Sequence, residues 1–336
     1  MKKRVYIAYT GGTIGMLPTE DGYKPAPGAL RQQMEKIPEL GDSSMPDYDI
    51  TEYGPLIDSS NMTPDIWNII AQDIKRKYHE YDGFVILHGT DTMAYTASAL
   101  AFMLEGLDKS VILTGSQIPL SEIRNDARVN LITSLMIAAR YRIPEVCLFF
   151  GDKLLRGCRA VKVSANQLDA FASPNYPPLG IAGVNIRLNE KLILKNRGIP
   201  FRAYSLHNHS IGTLRIFPGI SAEVVRNILR QPLKGLILET YGVGNAPDQD
   251  RELLGLIREA TERGVVIVAC TQCLYGSVQL GEYAAGSALA KAGVISGYDI
   301  TMEAALTKLL FLFSRGMNSI EVRTNMLKNL RGEITI

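Results

Sequence analysis

The chain is poor in the residues that metal and redox chemistry need. Its 336 residues hold four histidines, four cysteines and one tryptophan. Cys147 and Cys158 stand alone. Cys270 and Cys273 form a C-x-x-C, but no second pair and no histidine cluster completes a zinc set. Reduced, mostly buried thiols are expected, with a redox pair at Cys270/Cys273 as the alternative. Charge is balanced at +2 and no long basic run occurs, so nothing points to a nucleic-acid or membrane partner. No apolar stretch is long enough to cross a bilayer. Met1-Lys2-Lys3-Arg4 has the look of a signal-peptide start, yet the apolar run after it ends at Tyr9, so a cytoplasmic protein is expected. Internal repeats, low-complexity tracts, a G-x-G-x-x-G fingerprint and a P-loop are all missing.

What the chain does have is a recurring event: an apolar strand that breaks into small, hydroxylated residues. Val5–Tyr9 runs into Thr10-Gly11-Gly12-Thr13, and the stretch from Tyr48 to Leu56 into Asp58-Ser59-Ser60-Asn61. Gly83–Leu87 runs into His88-Gly89-Thr90-Asp91-Thr92, and Ser110–Leu113 into Thr114-Gly115-Ser116. Short apolar runs of this kind suit buried parallel strands, and ligands in open α/β sheets bind beyond the carboxyl ends of such strands. Thr90-Asp91 also suits a helix N-cap, since Ala94–Leu107 reads as a helix. Four polar strand ends on one sheet edge, however, describe a pocket. The segment after Met16 reads as a polar mobile loop or hairpin carrying Tyr23.

Length and a hydrophobic content of 46% allow two domains with substantial cores. Thr63-Pro64-Asp65 opens one helix of the first, and another spans Ala127 to Tyr141. The second has buried-type strands at Gly235–Leu238 and Val265–Ala269, separated by a helix from Arg251 to Arg263. The expected fold is α/β. A larger N-terminal parallel-sheet domain covers 1–186, a charged and weakly patterned linker 187–204, and a smaller α/β domain 205–336. Lys162, between two valines, reads by itself as a solvated lysine.

Tyr9-Thr10-Gly11-Gly12-Thr13-Ile14-Gly15-Met16 and Leu87-His88-Gly89-Thr90-Asp91-Thr92-Met93 resemble the two signatures of the bacterial-type L-asparaginases. The resemblance spans essentially the whole chain and takes in Tyr23, Asp58-Ser59-Ser60, Thr114-Gly115-Ser116, Lys162 and the run from Tyr241 to Pro247. The Asp-Ser-Ser wording is similar to the cytoplasmic type I branch. The resemblance implies hydrolysis of L-asparagine to L-aspartate and ammonia without metal or organic cofactor. Thr13 would be the nucleophile, with an acyl-enzyme intermediate, and Tyr23 would assist its deprotonation. Thr90, Asp91 and Lys162 would activate the attacking hydroxyl or water. Asp91 would hold the substrate's ammonium, and Ser59 with backbone N–H groups near Ser60 its carboxylate; Asp58 would also belong to the substrate-binding set. Ser116 would line the amide pocket through its backbone, while His88 and Thr92 are structural.

A homotetramer built from close dimers is also implied, with Asn245 of a neighbouring subunit completing the pocket. Related readings are an amidohydrolase with substantial glutaminase activity and the asparaginase-like subunit of a tRNA-dependent amidotransferase. From another class comes a nucleotide- or phosphate-binding module built on the Gly11-Gly12 turn. Val161 and Glu239 are not the polar and basic residues associated with a second, activating asparagine site in type I relatives.

Overall fold

A computed structural model describes residues 2–20, 22–196 and 198–336; Arg197, inside the expected linker, lies outside them. The chain divides into two compact units, Met1–Ser205 and Leu206–Ile336. In the first, an eight-stranded sheet runs in the order Ile186–Leu188, Gly180–Ala182, Lys153–Arg156, Val146–Phe150, Val111–Thr114, Gly83–Leu87, Arg4–Gly11, Asp47–Ile57. The five strands from Asp47–Ile57 to Val146–Phe150 are mutually parallel, and the rest are antiparallel. Gly83–Leu87 is buried at every position, as a central strand covered on both faces must be.

The helices that cover this sheet follow the apolar pattern of the sequence. Pro64–Lys77 buries Trp67, Ile70, Ala71 and Ile74 along one side. Pro64 occupies its first turn, but the Thr63 side chain makes no capping bond. Met93–Met103 is buried all round except at Tyr95, and its small residues let Gly157 approach: a Cβ on Gly157 would lie 3.2 Å from that of Ala97. The segment after Met16 is an antiparallel hairpin, Met16–Thr19 against Gly22–Pro25.

The stretch 187–204 belongs to the first unit and is not a linker. Ile186–Leu188 closes the sheet, Arg202–Ala203 pairs with Leu104–Glu105, and Phe201 stacks on Tyr78 with centroids 3.7 Å apart. A buried ion pair holds the middle. Arg156 Nε lies 2.6 Å from Glu145 Oε2, Arg156 also donates to the Leu192 carbonyl, and Glu145 accepts from the Leu194 amide. Hydrophobicity patterning does not register such anchoring, because charged side chains carry it.

The second unit has a four-stranded parallel sheet in the order Ile211–Arg215, Gly235–Thr240, Val266–Thr271, Ile295–Ser296. Side chains cap several of its helices: Ser221, Asp250, Thr301 and Asn318 each accept a backbone N–H at a helix start, whereas Ala284–Lys291 has no such cap. Cys270 is buried and Cys273 is exposed, and the two form no disulfide. Among the described residues no helix is long and apolar enough to cross a membrane.

Candidate active site

The strand ends of the first unit meet because glycine removes the atoms that would keep them apart. A Cβ on Gly11 would lie 2.1 Å from the Ile57 carbonyl oxygen, and one on Gly12 would lie 2.3 Å from the Gly89 nitrogen. A Cβ on Gly89 would lie 2.5 Å from Ser59 Oγ. Gly11 and Gly12 also take positive φ, 125° and 88°, which side chains resist. Three turns are therefore in backbone contact, and Thr13 and Thr90 each directly follow one of two touching glycines.

Hydroxyls lace the same ends together. Thr10 donates to the Leu87 carbonyl at 3.1 Å, Thr92 to that of Ser59 at 2.7 Å, and Thr114 to that of Phe149 at 2.8 Å. His88 is buried at the centre, with Nδ1 2.7 Å from the Gly89 carbonyl and Nε2 2.9 Å from Thr96 Oγ1. A carbonyl only accepts, so Nδ1 carries the proton and Thr96 donates to Nε2, while Thr96 accepts from Trp67 at 2.8 Å. Burial drives the imidazole pKa down to about 4. His88 is thus a neutral brace, structural as expected.

Thr90 and Asp91 do not cap the following helix, whose N-cap is Thr92. They meet Lys162 instead: its ammonium lies 2.8 Å from Thr90 Oγ1 and 2.7 Å from Asp91 Oδ1. Lys162 sits on a two-residue strand, Val161–Lys162, paired with Phe171–Ala172. Its side chain is 20% exposed, and that of Asp91 is 64% exposed. The pair is open to water, so it adds little to stability and can exchange partners.

The remaining expected residues differ in how they are held. Ser59 and Ser116 are buried at the same strand ends, and the Ser116 hydroxyl has no hydrogen-bond partner among the described residues. Asp58 is the N-cap of the turn Ser59–Asn61 and accepts the Ser60 amide at 3.0 Å, so that amide is already engaged. Thr13 opens the short turn Thr13–Gly15, is partly exposed, and its hydroxyl bonds to none of the described residues. The Leu120 amide fixes this turn by donating to the Ile14 carbonyl at 3.1 Å.

Tyr23 is not brought to Thr13 by any hydrogen bond. It is 47% exposed and donates to Glu122 at 2.8 Å, a contact that raises the phenol's pKa. Asn245 belongs to the second unit, where the Tyr241–Asn245 bridge closes a tight turn and its buried Oδ1 has no partner among the described residues.

The phosphate-cradle alternative fails on local structure. The Gly11-Gly12 turn leads into a three-residue helical turn and a hairpin, so no helix N-terminus faces a ligand there. Its glycines are filled by neighbouring backbone. Sequence reading missed Gln117 and Asp126. Asp126 accepts the amides of Gln117 and Ile118, both at 3.0 Å, and so sets the loop after Ser116. Gln117 directly follows the Thr114-Gly115-Ser116 run, and that adjacency was the available signal.

Comparison with known proteins gives the family and the fold. Residues 4–194 match the family described as Asparaginase, N-terminal, and residues 210–326 the Glutaminase/Asparaginase C-terminal domain. The chain is 55% identical to L-asparaginase 1 of Escherichia coli, over 99% of this chain and 98% of that protein. It is 45% identical to a human 60 kDa lysophospholipase, covering 99% of this chain and 62% of that protein. The crystal structure of L-asparaginase I from Vibrio cholerae superposes with a TM-score of 0.94 at 50% identity, covering both chains in full. A glycine-knit parallel sheet edge carrying a Thr–Asp–Lys contact, and matches to both family domains, establish that this chain belongs to the asparaginase family.

Proposed function

We propose that the protein hydrolyses L-asparagine to L-aspartate and ammonia. The observation that carries this reading is the Lys162 ammonium held between Thr90 Oγ1 and Asp91 Oδ1 at the converged strand ends. In this reading Thr13 Oγ attacks the side-chain amide carbon and the C–N bond breaks. The hydroxyl proton leaves with the nitrogen as ammonia, and an ester to Thr13 remains. Water then cleaves that ester and regenerates the hydroxyl. Lys162 stabilises charge developing beside Thr90, and its contact with Asp91 fixes its position. Asp91 Oδ2 stays available for the substrate's ammonium, and Ser59 for its carboxylate. Ser60 serves through its hydroxyl, because its amide is bonded to Asp58. Ser116 lines the amide end.

Tyr23 reaches the reacting groups only by exchanging its bond to Glu122, so hairpin movement accompanies substrate closure. The enzyme acts in the cytoplasm as a homotetramer of close dimers, with Asn245 contributed by a neighbouring subunit. Its partner is the small-molecule substrate, with no nucleic acid, membrane or cofactor. Ammonia release by the purified protein, with L-asparagine and L-glutamine in parallel, tests the reading. Turnover of asparagine well above that of glutamine is expected, since the pocket must discriminate one methylene worth about 1–3 kcal/mol. Absence of ammonia from L-asparagine would sink it.

A further inference from the structure

The hydrolytic reading gives Gln117 no part, yet its side chain is tied at both ends. The amide nitrogen donates to the carbonyls of Ala165 (3.1 Å) and Gln167 (3.2 Å), and the amide oxygen accepts from the Thr90 hydroxyl at 3.2 Å. Inverting the amide would set its oxygen against two carbonyl oxygens, so the arrangement has one sense. Its backbone is held as well, by the Asp126 carboxylate. We propose that Gln117 is a positioning residue that fixes which way the Thr90 hydroxyl points.

The argument is one of valence. An amide oxygen only accepts, so the single proton of Thr90 lies toward Gln117. Lys162 donates into one lone pair of Thr90 Oγ1. One lone pair remains, so Thr90 can engage a third group only by accepting from it. That third group is the O–H of the attacking nucleophile or water, which Thr90 thereby orients and makes easier to deprotonate. Without Gln117 the hydroxyl is free to turn its proton into the pocket. There it would donate to the nucleophile and oppose the reaction. The two contacts to Ala165 and Gln167 also tie the loop after Lys162 to the same point.

This inference rests on the placement of Thr90 and Lys162 in the hydrolytic site, and the experiment separates the two claims. Gln117→Leu keeps the volume but removes the acceptor. It should lower kcat about 10- to 100-fold, the scale of a mispositioned reacting group, and leave KM within about threefold. Ser164→Ala is the control. Ser164 Oγ accepts the amides of Asn166 (3.2 Å) and Gln167 (3.0 Å), so its loss loosens the same loop without touching Thr90. Its kcat should stay within about twofold of the parent, within the ordinary range of surface changes.

Should Gln117→Leu not fold, Gln117→Met supplies the same test: it keeps an unbranched stem and removes the amide acceptor, so kcat should fall about 10- to 100-fold with KM within about threefold. An unchanged kcat in the folded Gln117→Leu or Gln117→Met protein, or an equal loss in Ser164→Ala, would overturn the inference. If Lys162→Met keeps the parent's rate, the site reading fails instead.

Discussion

Both units end parallel strands in polar residues, and they use them in opposite ways. In the second unit those residues are spent on the fold. Gln272 donates to the carbonyls of Ile216 (2.7 Å) and Glu239 (2.9 Å), Thr240 donates to that of Cys270 (3.1 Å), and Arg215 faces Glu239 at 3.7 Å. Its fully buried pair, Lys308 Nζ to Glu333 Oε1 at 2.6 Å, ties the C-terminal segment to a helix, with Lys308 also donating to the carbonyls of Met326 and Lys328. In the first unit glycine backbone contacts do much of the joining, and the hydroxyls of Thr10, Thr92 and Thr114 are spent alongside them. That leaves Thr13, the second oxygen of Asp91 and the Ser116 hydroxyl uncommitted. Polar groups at a sheet edge become a site when something else holds the edge together.

The sharpest way to break this contrast is to remove a polar group from the unit that spends it on structure. Lys308→Met leaves the Glu333 carboxylate buried beside two backbone amides and without its cation. Loss of one partner of a buried pair costs about 3–5 kcal/mol, read as a lowered denaturant midpoint. A change under about 1 kcal/mol would show that the pair is dispensable. Next comes the glycine joint. Gly12→Ala adds strain at positive φ, about 1–2 kcal/mol, and overlap with Gly89, about 1–3 kcal/mol. Ammonia release should vanish even in the fraction that folds, and a fully active Gly12→Ala protein would contradict the backbone account.

Acid probes the brace beneath the site. The folded pKa of His88, about 4, lies below the unfolded value of about 6.5. The neutral ring's contribution is therefore complete above about pH 6.5 and is lost as pH falls toward 4. About 3 kcal/mol should disappear across that window relative to His88→Gln, which does not titrate. Equal pH slopes for the two proteins would exclude His88 as a buried neutral group. The smallest effect belongs to Cys273→Ser. The thiol is exposed and unpaired, so stability and rate should both hold within about 0.5 kcal/mol, with or without reductant. A reductant-dependent rate would reinstate a redox role.

Much of this was legible in the sequence because it rests on local pattern. The buried strands and the helix from Ala127 follow from apolar periodicity. The four polar strand ends belong to strands that are neighbours in one sheet. Lys162 was visible only by resemblance, since a lysine between two valines reads as solvated unless Thr90 and Asp91 are known to stand opposite. The misreading of 187–204 has a similar cause. Its anchors, Glu145 and Arg156, lie far away in sequence and act by charge rather than by hydrophobic period. Tyr23 and Gln117 show the same limit, because the acceptor Glu122 and the carbonyls of Ala165 and Gln167 are contacts of the folded chain alone.

The central claim is that the open Thr90–Asp91–Lys162 contact serves chemistry rather than stability, and Lys162→Met tests it in one experiment. Methionine keeps the stem and removes the ammonium. Because Asp91 is largely solvated, the unfolding free energy should change by less than about 1 kcal/mol. Ammonia release from L-asparagine should fall by about two orders of magnitude or more, since each 1.36 kcal/mol of lost transition-state stabilisation is about tenfold in rate. A folded variant that keeps its rate within about threefold of the parent, or one that loses stability in proportion to activity, would contradict the account.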